Sequence, residues 1–187
     1  MIESFKYLLM TQSKRRKKEI ALLKEHPIFR DIDSWINIKV GALDIQCPSK
    51  KAMAKTYLEI YFREIRSFYL NLCDNYDTYV SSPHNIYQTL HTVINATNEK
   101  AVAVYVPTLF INKMNVRFFK HIDILSQSIV SSSTNKSYSS EFEQVSSILD
   151  MSLLFLHMEV DTIENTINSM NGELEKVLKG TIYDSPI

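Results

Sequence analysis

Apolar residues in this chain recur at intervals of three and four over most of its length. That is the spacing of helices that bury one face. Phe5, Leu8, Leu9, Ile20, Leu22 and Leu23 mark a first helix over residues 3–25, with a basic run between them. Pro27 ends it by disfavouring the helical conformation of His26. Tyr57, Ile60, Tyr61, Ile65, Phe68, Tyr69, Leu72, Cys73 and Tyr76 form a long buried stripe. They predict one helix from about Lys51 to Tyr79, with Ser49 as its N-cap. Ser82 and Pro83 open the next, since a proline at the first helical position loses no hydrogen bond. It runs through Ile86, Leu90, Val93 and Ile94 to about Ala96. Leu109, Ile111, Met114, Phe118, Ile122, Leu125 and Ile129 then carry a helix from Thr108 to Val130.

Two stretches alternate instead. Ile36, Ile38 and Val40 fall on every second residue, and so do Val102, Val104 and Val106. Alternation is the mark of a strand, so a minor two-stranded element pairing 36–40 with 102–106 is one reading. The other is a short helix capped by Asp33 or Ser34, and a helix that Pro107 ends.

The C-terminal quarter has the strongest pattern. Ser140 and Glu143 form a capping box, and Gly180 stands where a C-terminal glycine belongs. The helix between them is about 38 residues, or about 57 Å at 1.5 Å per residue. Phe142, Val145, Leu149, Ser152, Leu156, Val160, Ile163, Ile167, Met170, Leu174 and Val177 form a coiled-coil-like seam, apolar at ten of its eleven positions. Over residues 147–161 apolar groups extend nearly all the way round, so that part needs helices on every side. The distal half is apolar on one stripe only. Asn171 and Gly172 weaken it and mark a place where the helix could end or kink.

Composition sharpens this picture. Three glycines in 187 residues lie far below the usual level of about 7%. Sheets and nucleotide-binding folds need many tight turns and therefore glycine. The expected fold is thus mainly α: an antiparallel helical bundle of about five or six helices with a long C-terminal helix, in a single domain over 1–187. The Ser-rich stretch 131–140 reads as a flexible loop with nothing to bury.

Net charge is zero overall but uneven. Residues 1–70 hold 14 Lys and Arg against 8 Asp and Glu, and the remainder is acidic by the same margin. Halves that fold onto each other and neutralise are the simplest account. The densest cluster is Lys14, Arg15, Arg16, Lys17 and Lys18, whose bases suit phosphate contact by a nucleic acid. No aromatic residue is interleaved to stack on bases.

Catalytic patterns are missing. The five histidines form no metal-binding His-x-x-x-His pair. His91 lacks the glycine and lysine that accompany a phosphoacceptor histidine. Arg117 and His121 stand too close for a helical ribonuclease pair. There is no Gly-rich phosphate loop and no nucleophile elbow. Cys47 and Cys73 read as reduced thiols of a cytoplasmic protein. The first residues lack the order of a secretion signal, and no apolar run approaches the ~20 residues of a membrane span. The expectation is a non-enzymatic interaction or scaffold subunit without cofactor or metal. It would bind a protein partner or a second copy through Ile163, Ile167, Met170 and Leu174. A nucleic-acid contact at Lys14–Lys18 is the alternative.

Overall fold

Pro48 occupies the first position of a 27-residue helix, and this one element organises the rest. Its cap is Cys47, extended at φ −79° and ψ 118°, whose carbonyl accepts from Lys51 N at 3.0 Å. The sequence pointed to Ser49 as the cap. Proline is favourable inside the first turn and so moves the boundary two residues back. The computed structural model describes residues 11–25, 32–82, 84–133 and 161–185. In chain order the elements are α1 (Gln12–Lys24), α2 (Ile32–Ala42), α3 (Pro48–Asp74), α4 (Tyr76–Ser81), α5 (His84–Ala103) and α6 (Thr108–Ser133). A helical stretch α7 covers 161–169, and α8 is Glu173–Leu178.

Among the described residues there is no strand, and the class is all-α. The expected two-stranded element is therefore corrected: 36–40 lies within α2, and 102–103 completes α5. The alternation of Ile36, Ile38 and Val40 misled because positions two apart on a helix point to different sides. Val40 is inside while Ile38 faces solvent. The expected helix 51–79 is two helices, broken at Asn75 (φ −113°, ψ 33°). There the Asn75 amide nitrogen Nδ2 donates to the Asn71 carbonyl at 3.1 Å, the side-chain competition that makes asparagine a poor helix interior.

α3 packs against α1, α2, α4, α5 and α8, and α5 packs against α6. α5 runs antiparallel to α3, since Tyr57 meets Asn98 while Phe68 and Val93 line one groove. α6 runs antiparallel to α5, with Asn98 bonded to Asn115 and His91 stacked on Phe119. A polar relay crosses the three helices. Tyr57 Oη donates to Asn98 Oδ1 at 3.4 Å, and Asn98 Nδ2 donates to Asn115 Oδ1 at 2.6 Å. It gives the buried Tyr57 hydroxyl a partner and fixes one axial register among the helices. Around it Phe118 stacks parallel to Tyr61 at 4.9 Å and to Tyr57 at 6.2 Å.

The two ends of the chain neutralise each other in places. Lys50 Nζ, almost fully buried, donates to Glu175 Oε1 at 2.9 Å and to Asn171 Oδ1 at 3.2 Å. The Asp44 backbone N–H donates to the Glu164 carboxylate. These contacts bind the C-terminal residues to the start of α3 and to the segment before it.

Candidate functional site

The last turn of α5 ends in an unusual way. Val106 N donates to the Ala101 carbonyl at 2.9 Å, and Tyr105 N donates to the Val102 carbonyl at 3.0 Å. This pair of bonds closes a Schellman motif, and its left-handed position is normally glycine or asparagine. Here it is Tyr105, at φ 64°, the one non-glycine residue with positive φ among those described. The left-handed conformation costs an ordinary side chain about 1–2 kcal/mol. Ala101 and Val106 are both buried, which supplies the apolar contact that accompanies this motif. Pro107 follows, where a helix cannot continue.

The strained turn carries a bare ring. Tyr105 is 72% exposed, and Val102 and Val104 beside it are also exposed. The C-terminal turn lies against them. Tyr183 Oη donates to the Val104 carbonyl at 2.9 Å, and Ile182 next to it is exposed. Burial pushes the Tyr183 phenol up, while a hydrogen bond with Thr56 of α3 acts in the opposite direction. Gly180, at φ 79°, reverses the chain after α8, as its place in the sequence suggested. One end of the molecule thus gathers aliphatic and aromatic groups from α5, the turn after it, and the last residues.

The four residues expected to face a partner are elsewhere. Ile163, Ile167, Met170 and Leu174 are at most 1% exposed and belong to the chain's own core. This corrects their reading as an open ridge. The apolar stripe is real, but the chain's own core covers it. The long helix is also interrupted where Asn171 and Gly172 allowed. Residues 170–172 form a turn with Gly172 at φ 72°. The seam from Phe142 to Val160 and the Ser140–Glu143 capping box lie outside the described residues.

Lys14, Arg15, Arg16, Lys17 and Lys18 are consecutive on α1 and so spread around it. Glu19, fully buried, accepts from Arg15 Nε at 2.9 Å and Arg16 Nη1 at 3.2 Å. Arg16 also pairs with Asp77 at 2.9 Å and lies over the Tyr76 ring, 5.2 Å from its centre. Arg16 therefore binds α1 to α4, while Arg15 is held to Glu19 within α1. The side chains of Lys14, Lys17 and Lys18 are exposed. Sequence reasoning missed Glu19 as the organising acid. Its spacing of three and four from the arginines was the available signal.

No three His, Cys, Asp or Glu side chains gather at metal-binding distance among the described residues. Nor is any described helix long and apolar enough to cross a membrane. A shallow groove of about 320 Å³ between α3 and α5 is lined by Glu64, Ser67, Phe68, Asn71, Thr89 and Thr92, among others. Four of its polar side chains, Glu64, Asn71, Thr89 and Thr92, already have partners. Thr89 and Thr92 donate to carbonyls of their own helix, and Glu64 pairs with Lys100. Cys47 caps α3, and a hydrogen bond to Ser49 Oγ, with Sγ at 3.1 Å, lowers its thiol pKa. Cys73 is buried, and desolvation raises its thiol.

No protein family, curated protein or solved structure matches the chain.

Proposed function

We propose that this is a non-enzymatic helical interaction protein, and that the end of the molecule carrying Tyr105 is its working surface. The observation that carries the proposal is the strain at Tyr105. A tyrosine held at positive φ, largely in water, costs stability that glycine would not. Strain of this kind concentrates where it serves a contact. Tyrosine is also among the residues that most often anchor protein interfaces, because its large ring orders at little entropic cost. Val102, Val104 and Ile182 supply apolar area around it.

In this reading the chain is one bundle, and its C-terminal part acts as a brace. Ile163, Ile167, Met170 and Leu174 fasten α7 and α8 to the core, and Tyr183 holds the turn in place. The test is affinity purification from the native source with wild-type protein and with Tyr105→Gly in parallel. A protein retained by wild type and lost with the variant supports the reading. Identical profiles overturn it.

A nucleic-acid role for Lys14, Lys17 and Lys18 is weaker, because the neighbouring arginines already serve the fold. Fluorescence anisotropy with DNA and RNA at two salt concentrations decides it.

A further inference from the structure

α6 shows its outer face in an unusual mixture. At about 100° per residue, Leu109, Lys113, Val116, Arg117, Lys120 and Ile124 fall within a stripe about 100° wide. Val116 is 71% exposed, and Leu109 and Ile124 are exposed as well. Lys113 and Lys120 are exposed and Arg117 is half-buried. Five cations on other elements, Arg15, Arg16, Lys50, Lys55 and Lys100, pair with carboxylates. None of the ion pairs among the described residues uses Lys113, Arg117 or Lys120. Asp123 sits at the edge of the stripe, and no ion pair joins it to Lys120.

We infer that this stripe docks an acidic amphipathic helix of a protein partner, one that interleaves aliphatic side chains with glutamates or aspartates. The inference rests on the interaction reading above but uses a different surface. Charge complementarity and geometry select the occupant. A second copy laid antiparallel on the stripe would oppose Lys113, Arg117 and Lys120 with the same three cations. A membrane-surface helix separates its cations from its apolar face. Here they alternate within one narrow stripe, so insertion would bury the charges. A nucleic acid would reward the cations and leave Leu109, Val116 and Ile124 without an apolar partner, and no aromatic ring stands among them to stack on bases. An acidic amphipathic helix satisfies both kinds of group, as the flanking charges of paired helices do.

The test uses the full chain and a synthetic 21-residue peptide with leucine at a and d positions and glutamate at e and g. Those glutamates keep the peptide from pairing with itself. A matched peptide with lysine at e and g is the control. Binding is read by fluorescence anisotropy at low and moderate salt. Wild type should bind the glutamate peptide, more weakly as salt rises, and prefer it to the lysine peptide. Combined Lys113→Glu, Arg117→Glu and Lys120→Glu should lower that affinity about tenfold or more and reverse the preference. The paired variant Lys113→Gln with Lys120→Gln should move it in the same direction by less, and it serves if charge reversal disturbs folding. Tyr105→Gly should leave peptide binding unchanged, so failure here and failure at the Tyr105 surface read separately. The inference falls if wild type does not bind, as expected were another part of this chain to cover the stripe. It also falls if the variants bind equally, or if phosphatidylserine vesicles or poly-uridine compete through these same residues.

Discussion

Tyr183 Oη donates to the carbonyl of Val104 across 79 residues of sequence, at 2.9 Å. The bond joins the last turn of the chain to the end of α5, just where Tyr105 takes its left-handed conformation. Tyr183→Phe removes only the hydroxyl. It should cost about 1 kcal/mol or less, since the bond is exposed. The amide of Tyr105 should then exchange hydrogen faster while amides in α3 do not. Equal exchange at both would show that the C-terminal turn does not hold this end.

Tyr105→Gly should stabilise the protein by roughly 0.5–1 kcal/mol, because glycine accepts φ near 64° without strain and little ring burial is lost. Tyr105→Ala keeps the strain and should give no such gain. Urea unfolding of the two variants measures the difference. A loss of stability in the glycine variant would mean that the ring serves folding.

Lys50 is a buried ammonium with two acceptors from the C-terminal residues. Removing both acceptors, Asn171→Ala with Glu175→Ala, should cost about 1–2 kcal/mol, tempered because Glu175 is mostly in water. Lys50→Met keeps the volume and drops the charge, and should cost less than the double variant. Denaturant midpoints of the two variants give the order.

Burial pushes the Tyr87 phenol from 10 up to about 12. The folded state therefore favours the neutral ring. Stability from this group is complete below pH 10 and is lost as pH rises from about 10 through about 12. Tyr87→Phe should flatten that part of the pH–stability curve. An unchanged slope would assign the alkaline loss to other groups.

The two thiols should differ in reactivity. Cys47 is partly exposed with its pKa lowered, and Cys73 is buried with its pKa raised. In native buffer a disulfide reagent should modify Cys47 first, and Cys73 only as fast as the fold opens. Mass spectrometry of the partly labelled protein identifies which has reacted.

The all-α class was legible in the sequence because scarce glycine and three-four spacing depend only on local chemistry. So were Pro107 and Gly180 as stops, since proline and glycine act through their own backbone. The stripe Ile163, Ile167, Met170 and Leu174 was also legible as apolar. Its burial was not, because a stripe looks the same in sequence whether its cover comes from the same chain or from another. Tertiary packing alone decided that the chain's own core covers it. Likewise the five bases of Lys14–Lys18 look equivalent in the chain, and only the fold brings Asp77 of α4 to Arg16. Nothing local marks Tyr105 for positive φ. Two backbone bonds and the burial of Ala101 and Val106 impose it, and these exist only once α5 has packed.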